Sequence, residues 1–354
     1  MHELGQSIWV DNITRAMLDD GTLRRYLRDY DVTGLTSNPT IFDEAIRGTA
    51  AYDADIRASA RLGLSAEDSF VRIALADLTR AADEFREVHA ASGGLDGWVS
   101  MEVSPLLADD APATVEAARR IHALAGRDNL FVKIPGTNAG LRAIEDSIFA
   151  GVPVNVTLLF SREQYLAAAE SYLRGIERRI AAGLDPRVAS VASVFVSRWD
   201  RAVADPAGGP LEHGLGIAIA RCCYRAYREL RASARWRTLE RAGAIAQRLL
   251  WASTGVKDPN ARASTYVEAL AAPETIDTMP EKTLLAFAAE GRLGGVLDAD
   301  DREALAVIER YERAGTDVSA LAARLQREGA AAFVASWRDL MGRIAAKSAA
   351  LEGT

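Results

Sequence analysis

The chain has 354 residues, of which 49% are hydrophobic and 26% charged, and it carries a formal net charge of −7 at pH 7. These fractions are typical of a globular protein and exclude a disordered or fibrous chain, and the acidic balance gives no global electrostatic reason to bind nucleic acid. The apolar runs are about half as long as a membrane helix requires and the N-terminal residues lack a signal-peptide pattern, so we expect a cytoplasmic protein that does not bind membranes.

Eight short apolar runs alternate with longer helical stretches along the chain. We predict strands over 7–11, 32–37, 97–103, 130–134, 152–158, 191–196, 247–252 and 275–278. The seventh run is ambiguous, because 237–250 also has the pattern of a helix. Eight strands that alternate with helices favour a (β/α)₈ TIM barrel with additional helices over the main alternative, a doubly wound open sheet. The glycine-rich phosphate loop that usually marks the open sheet is poorly matched by residues 214–219.

The helical stretches include 113–125, 140–150 and 162–182, with Ser161 as the N-cap of the last. The long stretch between the second and third strands predicts two or three helices, and the tail predicts helices over 301–314 and 318–346. We interpret residues 1–354 as a single barrel domain that carries a helical insertion at about 43–91 and a C-terminal helical extension at about 281–354.

Lys133 is the most informative residue of the predicted barrel, because only four of the 42 basic residues are lysines. Strands of a parallel sheet are buried on both faces, so we expect Lys133 to point into the barrel, where desolvation would lower its pKa. Two interpretations follow for this side chain. It is either a nucleophilic amine that forms a Schiff base with a carbonyl substrate or a lysine in a structural ion pair.

Polar residues recur near the C-terminal ends of the other predicted strands, where barrel enzymes place their active sites. Taken singly, such a residue is more often a cap or a turn former. The alternation of Asn155 and Thr157 puts both on one face of their strand. Together with Lys133 these polar residues would form one ring at the mouth of the barrel: Asp11, the segment 36–40, Glu102, Asn155, Thr157 and Ser193.

Three motifs follow one another along the chain, GLTSNPT at 34–40, FVKIPGT at 131–137 and VNVTL at 154–158. Their order resembles the transaldolase family, and the resemblance extends from about residue 8 to about residue 289. The stretches WAST at 251–254 and TMP at 278–280 resemble its longer bacterial type. The resemblance implies a Schiff-base aldol mechanism that uses neither a metal nor a cofactor. The substrates it implies are sedoheptulose 7-phosphate and glyceraldehyde 3-phosphate, and the products erythrose 4-phosphate and fructose 6-phosphate, in the non-oxidative pentose phosphate pathway.

The resemblance also implies roles for individual residues. Lys133 would attack the C2 carbonyl of a ketose phosphate, and Glu102 would move protons during dehydration with the help of a water held by Thr157. Asp11 would take the proton of the C4 hydroxyl. Loss of that proton would break the C3–C4 bond and leave the three-carbon unit on the lysine as an enamine, ready to attack an aldose phosphate.

Substrate binding is assigned by the same resemblance. Asn38, Asn155 and Ser193 would hydrogen-bond the dihydroxyacetone unit, and Arg198 matches the phosphate-binding arginine of the family. After the seventh strand the chain departs from the common pattern of a serine, an aromatic residue and an arginine. We take Lys257 as a hypothetical second phosphate ligand there, one that offers a point charge where arginine would offer a bidentate fork.

Three questions stay open at this stage. A simple Schiff-base aldolase would release free dihydroxyacetone, and a sugar-phosphate sensor would bind without turnover. Sugar phosphates are the expected partners in each case, and a homo-oligomer is kept as an open alternative.

The adjacent Cys222 and Cys223 are expected to be reduced thiols on a helix. The four histidines, which offer no cluster of metal ligands, are His2, His89, His122 and His213.

Overall fold

The computed structural model describes residues 1–203, 214–258 and 260–352. Its core is a closed barrel of parallel strands that are neighbours in chain order, with the last strand paired to the first. All strand residues except Asp11 are buried, as expected where helices cover the outside of a parallel sheet. The strands are β1 (Ser7–Asp11), β2 (Val32–Thr36), β3 (Val99–Glu102), β4 (Leu130–Pro135), β5 (Val154–Leu159), β6 (Ser190–Phe195), β7 (Arg248–Ala252) and β8 (Thr275–Met279).

The described residues contain sixteen α-helices besides short 3₁₀ turns at His2–Leu4 and Pro105–Leu107. Several begin at a side-chain cap, because an N-cap oxygen accepts one of the unpaired N–H groups of the first turn. The helices are α1 (Arg15–Asp19), α2 (Thr22–Asp29), α3 (Pro39–Arg47), α4 (Asp53–Arg61), α5 (Ala66–Glu84), α6 (Arg86–Ala91), α7 (Ala111–Ala125), α8 (Asn138–Phe149), α9 (Arg162–Ala181), α10 (Ser197–Ala202), α11 (Leu215–Ala232), α12 (Ala234–Arg241), α13 (Thr265–Ala269), α14 (Glu281–Glu290), α15 (Arg302–Arg313) and α16 (Val318–Glu352).

The prediction of a (β/α)₈ barrel with additional helices is confirmed, and the open sheet is the wrong alternative. Ser161 caps α9 as predicted, since its hydroxyl accepts from the amide of Gln164 at 3.2 Å. The ambiguous stretch 237–250 holds the end of one helix and most of a strand, which are separated by a short loop. β3 begins at Val99 instead of Gly97, because Gly97 has φ +79° and lies too close to His89 for any side chain.

A polar network closes the N-terminal end of the barrel. Arg248 Nη2 donates to Ser7 Oγ at 2.8 Å and to the carbonyl oxygen of Thr275 at 2.7 Å. The Ser7 hydroxyl in turn donates to Asp96, whose other oxygen accepts from Trp9 Nε1 at 2.8 Å. Because these groups pair with one another in the interior, this end of the barrel is filled and the barrel opens at its C-terminal end.

The last helix, α16, lies at that open end. Helix α16 packs against α3, α4 and α5, and it also contacts β5. Two ion pairs hold it to α3 and α4, from Arg343 to Asp43 at 2.6 Å and from Lys347 to Asp53 at 2.7 Å. The division into one domain with an insertion and an extension stays a prediction. Within the described part of the chain, no helix combines the length and apolar character needed to cross a bilayer.

Candidate active site

Lys133 lies between two polar side chains that the strand register brings beside it. Glu102 on β3 and Asn155 on β5 are its direct partners in the sheet. The Lys133 Nζ is 3.5 Å from Glu102 Oε2 and donates to the carbonyl oxygen of Ser37 at 3.3 Å. The residue is 5% exposed. An ion pair is thus present, and the amine also lines the cavity at the C-terminal end of the barrel.

The Glu102 carboxyl can gain and lose a proton near neutral pH because of its raised pKa. Burial raises its pKa to about 7, and the charge of Asp11 acts in the same direction. The ammonium of Lys133 opposes both effects, because an opposite charge favours the ionised carboxylate. A carboxyl with such a pKa can serve as either acid or base at physiological pH.

Asp11, at the end of β1, is oriented by two threonines. The hydroxyl of Thr36 donates to Asp11 Oδ1 at 2.6 Å, and Thr278 lies 2.7 Å from the same hydroxyl. Since the single proton of Thr36 goes to the carboxylate, Thr278 is the donor in the second hydrogen bond. Burial raises the pKa of Asp11, and the charge of Lys133 and the hydrogen bond from Thr36 oppose that rise.

The residues on β5 and β6 form a second polar group beside the lysine. Asn155 is fixed by two hydrogen bonds, one donated to Ser100 Oγ at 3.1 Å and one accepted from Ser193 at 2.7 Å. Thr157 Oγ1 is buried and has no hydrogen-bond partner within the part of the chain that the structure describes. This hydroxyl lines the cavity and can bind a small polar group there.

Two cations lie at the outer part of the same cavity, which has a volume of about 200 Å³. Arg198 is half-buried with its guanidinium 5.0 Å from the ring centroid of Phe195, and burial lowers its pKa. Lys257 is exposed to solvent. Asn38 also lines the cavity, but its side-chain oxygen accepts from the amide of Ile41 at 3.1 Å and caps α3. The amide nitrogen of Asn38 and the second lone pair of its oxygen therefore remain for a ligand.

The structure brings seven of the nine predicted site residues to the surface of one cavity. The other two, Glu102 and Asn155, lie directly behind it, in contact with Lys133 and Ser193 respectively. The residues on the cavity surface are Asp11, Asn38, Lys133, Thr157, Ser193, Arg198 and Lys257.

Comparison with known proteins decides the family of this chain. Residues 8–344 match the family described as Transaldolase/Fructose-6-phosphate aldolase. Transaldolase 2 of Nostoc punctiforme is 40% identical over 361 residues, which cover 97% of this chain and 95% of that protein. The transaldolase of Thermobifida fusca is 42% identical over 359 residues, which cover 99% of this chain and 98% of that protein. The chain belongs to the transaldolase/fructose-6-phosphate aldolase family. The predicted resemblance and the prediction of an enzyme of the transaldolase class are thereby confirmed.

The sequence analysis of this transaldolase-family chain missed two kinds of site residue. Thr278 contacts Thr36 only because the barrel closes between β8 and β1. Phe333 of α16 lines the cavity, with its ring centroid 5.6 Å from Lys133 Nζ. No local pattern near residue 333 marks it, since it is an apolar residue on a long helix. Thr36 lies in the segment 36–40 that the sequence placed in the ring, but no role was predicted for its side chain.

The histidines and cysteines lie elsewhere in this family member. His89 Nδ1 is 2.8 Å from the carbonyl oxygen of Asp96, and burial lowers the pKa of His122. His213 lies outside the described residues. Cys222 and Cys223 are unpaired, buried thiols on α11, and burial raises the pKa of Cys222 to about 11. Over 1–203, 214–258 and 260–352, no three His, Cys, Asp or Glu side chains are grouped as metal ligands would be.

Proposed function

We propose that this protein transfers a dihydroxyacetone unit from sedoheptulose 7-phosphate to glyceraldehyde 3-phosphate through a Schiff base on Lys133. The products are erythrose 4-phosphate and fructose 6-phosphate, and the reaction belongs to the cytoplasmic, non-oxidative pentose phosphate pathway. The observation that carries the proposal is a buried amine 3.5 Å from a carboxyl group, in a cavity that also holds a second carboxylate. The membership of the chain in the transaldolase/fructose-6-phosphate aldolase family gives the reaction class.

The first step is attack of the Lys133 amine on the C2 carbonyl of the ketose. Glu102, whose pKa is about 7, takes the proton that the ammonium must lose and returns it to the carbinolamine hydroxyl, which leaves as water. Thr157, a buried hydroxyl that faces the cavity, holds that water near the new C=N bond. The product is an iminium that withdraws electrons from C3.

Cleavage of the C3–C4 bond follows from the position of a base opposite this electron sink. Asp11 takes the C4 hydroxyl proton, the electrons of the C3–C4 bond move into the iminium, and an aldose phosphate leaves. The hydrogen bond from Thr36 fixes the Asp11 carboxylate during this transfer. The three-carbon unit stays on Lys133 as an enamine and attacks the aldehyde carbon of the acceptor in the reverse sequence of steps.

Binding residues keep the reacting atoms aligned, and this alignment lowers the barrier of the reaction. Ser193 and the side-chain amide of Asn38 bind the hydroxyls of the dihydroxyacetone unit, and Asn155 orients Ser193 from behind the cavity surface. Arg198 and Lys257 bind the phosphate at the other end of the sugar, where the cavity meets solvent. This arrangement fits both donor and acceptor because both carry a terminal phosphate.

Trapping of the covalent intermediate tests the proposal. We expect incubation with fructose 6-phosphate followed by borohydride to add a reduced three-carbon unit to Lys133, detected by peptide mass spectrometry. The adduct and transfer activity should be lost in Lys133→Ala and kept in Lys282→Ala, which removes an exposed lysine of α14. Absence of the adduct would contradict the proposal, and ligand binding without turnover in the wild type would indicate a sensor.

A simple aldolase is the second candidate, because the family description includes fructose-6-phosphate aldolase. Product analysis separates the two reactions. An aldolase releases dihydroxyacetone at full rate without an acceptor, whereas a transaldolase needs the aldose phosphate. Transfer is favoured by the relatives at 40–42% identity, which carry the name transaldolase.

A further inference from the structure

Helix α16 lies over the open end of the barrel and is attached on both sides of it. Gln326 Nε2 donates to the carbonyl oxygens of Gly136 and Leu158, both at 3.0 Å, next to the ends of β4 and β5. Four to five turns later Arg343 pairs with Asp43 on α3 at 2.6 Å. The segment between these attachments is therefore held in a defined position above the cavity.

Phe333 occupies the middle of this segment and covers the amine. Its ring centroid is 5.6 Å from Lys133 Nζ, and the residue is 7% exposed. The same nitrogen contacts Glu102 at 3.5 Å and the carbonyl of Ser37 at 3.3 Å. The reactive nitrogen thus has two polar neighbours and one apolar wall, and an aromatic face also attracts a cation such as an ammonium or iminium.

Gly329, one turn earlier on α16, shows how closely the helix fits the other end of the cavity. A Cβ atom at this position would lie 2.9 Å from Arg198 Nη1 and 2.9 Å from Leu158 Cδ2. Contacts that short do not occur, so a side chain at this position would have to displace the Arg198 guanidinium against which α16 packs. The helix therefore lies close to both the amine and the arginine, with Phe333 as the cavity wall beside the amine.

We propose that Phe333 determines whether the three-carbon unit is transferred to an acceptor or released, because its ring keeps bulk water from the enamine. This inference rests on the proposed function. Release requires the enamine carbon to take a proton from water, and a water then adds to the resulting iminium. The C–N bond breaks, dihydroxyacetone leaves and the amine of Lys133 is restored. Transfer needs no proton on that carbon, since it forms a bond to the acceptor aldehyde instead.

The partition between the two outcomes tests the role of the ring. Dihydroxyacetone release is measured with fructose 6-phosphate alone, and transfer with added erythrose 4-phosphate. We expect the release-to-transfer ratio to rise about tenfold or more in Phe333→Ala, an effect of about 1.4 kcal/mol on the relative barriers. Phe333→Leu, which keeps an apolar wall, should raise the ratio less. Arg338→Ala, which changes an exposed residue of the same helix, should leave it at the wild-type value.

A second measurement separates this role from a loss of fold. In D₂O, Phe333→Ala should incorporate more deuterium at the enamine carbon of the three-carbon unit than the wild type, at equal extents of turnover. If Phe333→Ala does not fold, we expect Phe333→Leu to show a smaller increase in deuterium at the same carbon. A wild-type ratio and wild-type deuterium content in a folded variant would overturn the inference alone. A wild-type protein with no Lys133 adduct and no transfer would overturn the proposed function as well.

Discussion

Glu102 and Lys133 are direct partners in the register of β3 and β4, and the lysine Nζ lies 3.5 Å from the carboxylate Oε2. This pair bears on both interpretations that the sequence left open for Lys133, a nucleophilic amine and a partner in a structural ion pair. The carboxylate that stabilises the ammonium is also the nearest group able to accept its proton. An ion pair in this position is compatible with nucleophilic chemistry, because burial brings the pKa of Glu102 to about 7.

The first prediction concerns the acidic side of the pH profile. Glu102 must be ionised to accept the lysine proton, so kcat/KM should rise with pH through about 7, the value to which burial raises its pKa. Glu102→Gln should lower kcat/KM by about 10²–10³-fold and remove that rise, since general acid–base groups contribute on this scale. Steady-state kinetics from pH 5.5 to 9 provide the measurement. Glu116→Gln, at an exposed position of α7, is the control, and an unchanged profile in Glu102→Gln would contradict the assignment.

The second prediction concerns the threonines that orient Asp11. Thr36→Val removes the O–H that donates to Asp11 Oδ1, so the pKa of that carboxyl should rise further. We expect kcat to fall about tenfold at pH 7 and to recover partly at higher pH, consistent with a lost hydrogen bond to a charged group. Thr278→Val is the matched variant, because it leaves the bond between Thr36 and Asp11 in place. Equal losses in the two variants would argue against a special role for Thr36.

The third prediction concerns the two cations at the outer part of the cavity. Arg198→Met should raise KM for the phosphorylated substrate by about 100-fold, because a half-buried charge is weakly screened. Lys257→Met should raise KM by about three- to tenfold with kcat little changed, and the effect should shrink at high salt because Lys257 is exposed. Lys282→Met controls for net charge. An unchanged KM in Lys257→Met would remove this residue from the phosphate site.

The fourth prediction concerns a buried carboxyl outside the proposed mechanism. Asp277 is fully buried, accepts one hydrogen bond from Thr254 at 2.9 Å, and has a second oxygen without a partner in the described residues. Burial raises its pKa to about 7, so the folded state holds a proton that the unfolded state loses above about pH 4. Asp277 therefore makes its full contribution to the free energy of unfolding below about pH 4. That contribution is lost as the pH rises to about 7.

Asp277→Asn removes this titration and keeps the shape of the side chain. The effect of the substitution on the free energy of unfolding, relative to wild type, should be about 3 kcal/mol more favourable at pH 8 than at pH 5. Urea unfolding at the two pH values measures the difference. Asp300→Asn is the control, because the pKa of Asp300 is about 2 and the group does not titrate in this range. The same difference from wild type at both pH values would show that Asp277 is ionised throughout.

The sequence could predict the barrel and most of the site because both depend on local patterns. Strands buried on two faces are continuous apolar runs, and the eight runs were found with ends that differ by at most a few residues. Once the barrel is assumed, residues near the C-terminal ends of strands must converge. The order of the strands therefore predicted that Lys133 and the polar residues at the other strand ends lie together, without knowledge of any distance.

What the sequence alone determined was the set of strands, their order and the group of side chains at one end of them. Only the tertiary structure decided what covers that end, since Phe333 lies 200 residues from Lys133 along the chain and meets it through the path of α16. It also decided that the oxygen of Asn38 caps a helix and that Thr278 reaches Thr36 across the barrel closure. Such contacts depend on how whole elements pack, and local periodicity contains no information about which distant residue fills a given space.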